Sequence, residues 1–364
     1  MNRIKEFDYI RVFAAFSVII LHVTSSYIQF SATAYLLNQI VRYSVPMFII
    51  LSGYLLYQVD STGPVLLYTE FLRKRLSKVF GPYIIWTTVY FIFTLVVNTP
   101  QNEDFTIYLV LCEWLHHIAW GTGYVHLYFL IIIIQFYLLY PFLRNWVEKQ
   151  PNAALFISLF ITVASQTLLY LQQLQLLTLP ATGDNPLYSR LFTVWIFYFV
   201  FGIYLSRRKT EVKDQRTRQL FLALFWFVSL VFLLADNRIT GAFPTSMKPT
   251  IVLYTVTSYF FFYYLAGLAT QNNQNIDRGL TWFSRQSFLI YLSHPLFMGL
   301  AVRLVPFLGL PRIWYGSIGM FALLLVVSVS ATVFSYIISL TPIASLVGGM
   351  PRKDKHSHRM LHSG

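Results

Sequence analysis

Residues 8–23 read DYIRVFAAFSVIILHV. Three ionisable side chains, Asp8, Arg11 and His22, interrupt an otherwise apolar run. As a helix, Arg11 and His22 are eleven steps apart, roughly three full turns, so they share one stripe about 16 Å apart along the axis. Asp8 lies three residues before Arg11, on the same stripe. An ionisable residue inside such a run is costly in lipid and is expected to face a bundle interior or a wet cavity. The stripe therefore predicts a base roughly halfway through a membrane and a cation near the entrance.

The rest of the chain extends this reading. Of its 364 residues, 56% are hydrophobic and only 11% charged, against about 25% charged in a soluble domain. Apolar runs near the spanning length of about 20 residues recur throughout. They predict an all-α integral membrane fold of about ten transmembrane helices, at 9–29, 40–58, 79–98, 125–143, 153–171, 191–206, 219–235, 250–269, 285–303 and 316–339. The first carries Asp8, Arg11 and His22 and has no small-residue cleavage site, so it reads as a span and not a signal peptide.

With the N-terminus cytoplasmic, alternate segments place 21 of the 27 Lys and Arg residues inside. The outside six are Arg42, Arg190, Arg238, Lys248, Arg303 and Arg312. This asymmetry predicts both termini inside and an even number of spans. The formal charge of +13 is thus a topology signal, and no basic face on a soluble domain points to nucleic acid. In the loop from Asn98 to Tyr124, the stretch from Phe105 to Trp120 is short for a span. It reads as an interfacial or re-entrant helix with Trp114 and Trp120 at headgroup level. Residues 1–350 form one transmembrane domain, and 351–364 a basic tail expected to be disordered, whose His356, His358 and His362 read as solvated. The single cysteine, Cys112, excludes an intrachain disulfide and a Cys-based metal site; no metal site is expected.

His22 suits a general base, since a neutral imidazole accepts a proton near neutral pH. Arg11 either snorkels or holds an anionic group at a cavity mouth. In the second helix Pro46 predicts a kink, and Ser52-Gly53 admits a close backbone or a ligand. The inside loop that follows holds Arg73, Lys74, Arg75 and Lys78. These suit topology and anionic lipid, or equally the phosphates of a cytoplasmic cofactor. His126 opens the fourth helix at the outer face, where it could be interfacial, like His116 and His117. In the ninth helix Ser287, Tyr291 and His294-Pro295 follow Arg285, placing His294 about 14 Å deep. His22 is expected at a similar depth, and two histidines converging from different helices strengthen the case for a site.

Four segments carry a family resemblance: Asp8-x-x-Arg11 with His22 after ten further residues; Phe48 to Ser52-Gly53; His126 to Leu130; and Ser287, Tyr291 and His294-Pro295. Together they resemble the membrane acyltransferase-3 family. The segments from Trp195 and from Phe288 to Pro295 look like its branch containing the intercellular-adhesion polysaccharide protein. The chain departs from the family in having Lys78 after Arg75, where an Arg-x-x-Arg pair is frequent, and Tyr128 where Trp is common. A lysine is only a point donor to phosphate.

The resemblance implies a multi-pass protein of the bacterial cytoplasmic membrane. It would move an acyl group, acetyl first among the choices, from cytoplasmic acyl-CoA to a hydroxyl of a cell-surface polysaccharide. The partners implied are membrane lipid, acyl-CoA as donor substrate and a glycan acceptor, with no tightly bound cofactor. On that reading His22, Asp8, Arg11 and His294 are the catalytic candidates. Arg11, Arg75 and Lys78 would meet the donor. Ser52, Gly53, His126 and Tyr291 would line the substrate cavity, with Ser52 the one candidate for an acyl-enzyme. The alternative is a transporter or exporter of a polysaccharide or its lipid-linked precursor, which needs no acyl-CoA. A passive scaffold would not explain Asp, Arg and His on one buried stripe.

Overall fold

The computed structural model describes residues 4–63, 67–98, 106–178, 187–208, 216–241, 245–270, 274–310 and 313–351. The tail with its three histidines lies outside them. Helices α1 (Lys5–Ser25), α2 (Ala32–Ile40), α3 (Ser44–Thr62), α4 (Tyr68–Asn98), α5 (Ile107–Trp120) and α6 (Tyr128–Lys149) make the first half. Helices α7 (Pro151–Gln173), α8 (Ile196–Arg208), α9 (Arg216–Thr240), α10 (Pro249–Thr270), α11 (Gln274–Phe307) and α12 (Gly316–Ser339) make the second. No strand occurs among the described residues. The fold is all-α, and nine stretches among these residues are long and apolar enough to cross a membrane.

The tenth expected span is α8. It has 13 helical residues, preceded by two 3-10 turns at Leu187–Arg190 and Phe192–Val194. Irregular backbone at this depth is tolerable because protein surrounds it: Trp195, Tyr198, Phe199 and Val200 are fully buried. α8 packs along α3 through two glycines. A Cβ on Gly53 would lie 2.2 Å from the Phe199 carbonyl oxygen, and one on Gly202 would lie 2.1 Å from that of Ile50. On the other side of α8, Phe136 of α6 stacks on Phe199 with centroids 4.5 Å apart. Leu220 and Phe225 of α9 and Ile318 and Leu325 of α12 face outward, as lipid-facing positions should.

Two helix boundaries change. The second expected span, 40–58, is α3, entered through a 3-10 turn at Val41–Tyr43, and α2 before it was not expected. Ser31 caps α2 by accepting from the Ala34 amide at 3.2 Å. Pro46 is then the third residue of α3 and needs no kink, because first-turn amides lack helical acceptors anyway. The basic segment Arg73–Lys78 is helix and not loop: α4 begins at Tyr68 and runs through Gly81 and Pro82. At 1.5 Å per residue, α4 is about 46 Å long, well beyond a hydrocarbon core of about 30 Å. The stretch 105–120 forms a short helix as expected, α5, with no buried residue and with Trp120 exposed.

Candidate active site

α1 and α11 lie side by side. At their basic end the buried Asp8 accepts from the Ser284 hydroxyl at 2.7 Å. Asp8 thus fastens α1 to α11, about 21 Å along the helix from His22. His22 itself is three residues from the end of α1, in its last turn. Between these points the sequence-predicted residues separate into two groups.

The first group lines a cavity of about 660 Å³. Arg11, Lys78 and Arg285 place positive charge on its walls, beside Ser52, Ser287, Gly81 and Pro82. Phe48, Phe129 and Tyr291 line it too, with ring centroids 5.6–6.1 Å apart. Arg75 does not line the cavity, but Arg75 and Arg11 both lie within electrostatic reach of the cavity-lining Tyr137. Lys78 is exposed and Arg11 half-buried, a gradient suited to a mouth for an anionic ligand. Ser52 donates to the Phe48 carbonyl at 2.7 Å, so its hydroxyl is turned to its own helix with no imidazole activating it. Gly53 is not at the cavity; Phe199 occupies the space its side chain would need.

The second group is a cluster of three histidines. His22 lies 5.2 Å from His294 and 6.4 Å from His126, ring to ring, and His126 lies 5.6 Å from His294. His126 is buried within the protein, in the turn before α6. Pro295 explains how two of these rings are oriented. It has no N–H, so the Tyr291 carbonyl four residues earlier loses its helical donor. His294 Nδ1 takes that place, donating to the Tyr291 carbonyl at 2.7 Å. One residue on, the Leu296 amide donates to the Tyr90 hydroxyl at 3.2 Å, and Tyr90 donates to the Leu292 carbonyl at 2.7 Å. His126 Nε2 donates to that same carbonyl at 3.3 Å.

A carbonyl only accepts, so each ring carries its proton on the nitrogen that faces α11. His294 Nε2 and His126 Nδ1 are left as buried acceptors without a partner among the described residues. His22, half-buried, has ring contacts and no hydrogen-bond partner among the described residues. No set of three His, Cys, Asp or Glu side chains among those residues converges on a metal-binding point.

Tyr291 joins the two groups. It lines the cavity, its hydroxyl donates to the His126 carbonyl at 2.6 Å, and its ring lies 5.3 Å from His126.

Two participants were not singled out in the sequence. Arg42, counted there only as an outside charge, is buried in the 3-10 turn before α3, within electrostatic reach of His22 and Tyr128. Its Nη2 donates to Asn38 Oδ1. The Asn38 amide in turn donates to the Leu21 carbonyl at 3.1 Å, Thr24 Oγ1 at 3.0 Å and Ser25 Oγ at 3.2 Å, around the end of α1. The available signal was an arginine three residues into an apolar run, the same signal that singled out Arg11.

A family profile for an acyltransferase domain matches residues 4–340. The chain belongs to this acyltransferase family. It is 25% identical over 327 residues to "Putative membrane-bound acyltransferase YfiQ" of Bacillus subtilis, covering 85% of each chain. It is 24% identical over 279 residues to "Probable poly-beta-1,6-N-acetyl-D-glucosamine export protein" of Staphylococcus aureus, covering 72% of this chain and 71% of the relative. No solved structure gives a significant match. The protein is thus a multi-pass membrane acyltransferase of the non-aminoacyl kind, in a family with bacterial relatives. The family match includes Arg11, Lys78 and Arg285 of the basic cavity and all three histidines of the cluster.

Proposed function

We propose that this acyltransferase moves an acyl group, acetyl in our reading, from cytoplasmic acyl-CoA to a hydroxyl of a cell-surface polysaccharide. The observation that carries the reading is the position of Tyr291, which lines a cavity bearing Arg11, Lys78 and Arg285 and bonds to the backbone of His126 in the histidine cluster. In this reading both termini and the basic end face the cytoplasm, in line with the distribution of Lys and Arg. The phosphates of the donor meet Arg11 and Lys78, with Arg75 behind them. The acyl arm passes Phe48, Phe129 and Tyr291 to reach the histidines, which requires those rings to part.

His22 then acts as the general base. The acceptor oxygen attacks the thioester carbonyl as His22 takes the hydroxyl proton. The carbon–sulfur bond breaks, and coenzyme A leaves as the thiol once protonated. His294 and His126 border the same space and keep its polarity fixed. Ser52 takes no part, so no acyl-enzyme forms on it. The polysaccharide acceptor is supported by the name of the Staphylococcus relative, which concerns such a glycan.

That same name favours a second reading, export of the glycan, in which acyl-CoA has no role. Mass spectrometry of surface glycans from cells with and without the protein separates the two. Acyl transfer predicts equal amounts of glycan that lose O-acyl groups when the protein is absent. Export predicts less surface glycan with unchanged modification.

A further inference from the structure

Arg42 is 6% exposed and has no carboxylate partner among the described residues. A buried cation without a counter-charge is expensive, and its retention calls for a compensating contact. One such contact is visible, from Nη2 to Asn38. The Nε–H has none and is buried. Two links bring this guanidinium to His22: Asn38, which accepts from Nη2, donates to the Leu21 carbonyl beside His22, and Arg42 lies within electrostatic reach of the His22 ring. His22, half-buried and without a hydrogen bond among the described residues, touches the rings of His126 and His294, whose Nδ1 and Nε2 are buried acceptors with no partner there. A substrate that accepts from the guanidinium and donates to an imidazole would satisfy Arg42 and His22 together.

We propose that acyl transfer takes place at His22, with Arg42 as a further catalytic residue that binds the carbonyl oxygen of the acyl thioester. The inference rests on the acyl-transfer reading and deepens it. As the acceptor hydroxyl oxygen bonds to the carbonyl carbon, the carbonyl π electrons move onto oxygen, and the Arg42 Nε–H donates to that developing oxyanion. The hydroxyl proton passes to His22. Collapse of the tetrahedral species re-forms the carbonyl and expels the coenzyme A sulfur, which takes that proton from His22 and leaves as the thiol.

Asn38 is the positioning residue. Holding Arg42 through Oδ1 and the end of α1 through Nδ2, it sets the guanidinium relative to His22 before substrate arrives. Arg11 and Lys78 belong to the donor cavity, so Arg42 should govern turnover and not donor affinity.

The test uses membrane vesicles containing the full chain, their native glycan as acceptor and radiolabelled acetyl-CoA as the probe. Arg42→Gln should lower kcat about 100- to 1,000-fold, the range for losing an oxyanion donor. KM for acetyl-CoA should change less than about twofold, because phosphate contacts lie elsewhere. Arg42→Lys keeps the charge and lacks the Nε–H. It should accumulate normally and still lose at least about tenfold in kcat, and it decides the matter if Arg42→Gln does not accumulate. A membrane-inserted Arg42→Lys protein with wild-type kcat would overturn the assignment. So would a loss expressed only as a raised KM. If wild-type vesicles transfer no acetyl at all, the acyl-transfer reading itself fails, and the inference with it.

Discussion

The imidazoles of His22 and His294 lie 5.2 Å apart, one on α1 and the other on α11. The backbone around Pro295 fixes which nitrogen of His294 faces the cluster. A cysteine pair at these two positions, in a chain with Cys112→Ser, should cross-link with a short bifunctional reagent in native membranes. Mobility on a non-reducing gel reports it. No cross-link with any of several short spacers would mean that the two helices do not meet at this level.

The basic cavity makes a separate prediction. Lys78→Ala with Arg75→Ala should weaken acetyl-CoA binding about 10- to 100-fold, as expected for one or two charge-assisted contacts to phosphate. Lys78→Ala alone should account for most of the loss, since Lys78 lines the cavity and Arg75 reaches it only through Tyr137. Equilibrium binding to the solubilised protein measures this. Unchanged affinity in the double variant would assign both residues to topology.

Gly53→Ala tests the α3–α8 contact. The added carbon meets a backbone carbonyl at 2.2 Å, which cannot rotate away. The cost should be at least about 1–3 kcal/mol and should appear as a lower unfolding midpoint and less protein in the membrane. Gly267→Ala on α10 is the control. Nothing lies within 4 Å of its added carbon, and a helical glycine replaced by alanine should gain about 0.5–1 kcal/mol. Equal midpoints for the two variants would contradict the packing described.

A buried polar chain leads away from the histidine cluster. Lys248 is fully buried, pairs with Asp236 at 2.8 Å and donates to Asn237, whose amide donates to Gln39 at 3.0 Å. Gln39 donates to Asn38, the partner of Arg42. Lys248→Ala leaves Asp236 without its cation and should cost about 3–5 kcal/mol. Lys248→Ala with Asp236→Ala should recover part of that loss, as measured by thermal unfolding in detergent. A double variant no better than the single would remove the ion pair from the account.

Much of this organisation was legible in the residues, because lipid makes buried charge conspicuous. Arg11 at a cavity and His22 meeting His294 both follow from ionisable groups in apolar runs. The boundaries that failed did so for identifiable reasons. Asn38, Gln39 and Arg42 make a polar break in residues 32–62, but nothing in the sequence shows that the turn at Val41–Tyr43 buries Arg42. Residues 68–78 carry the charges expected of a cytoplasmic loop but contain no helix breaker, and so extend α4. Gly53 suited a ligand or a helix neighbour equally well. Only the approach of Phe199 decides between them. His126 lies at the start of α6, where an interfacial position was as plausible as the interior. The Leu292 carbonyl that receives His126 is a tertiary partner that spacing does not reveal.

The most direct test of the central claim is His22→Ala, read as acyl incorporation into surface glycan alongside the amount of protein in the membrane. His22 makes no hydrogen bond among the described residues, so its removal should leave folding and expression near wild type. Loss of a general base should lower the rate about 100- to 10,000-fold. Arg11→Lys should retain part of the activity that Arg11→Ala loses, since that residue serves the donor and not the proton transfer. A well-expressed His22→Ala protein with full acyl transfer would contradict the account and leave the export reading in its place.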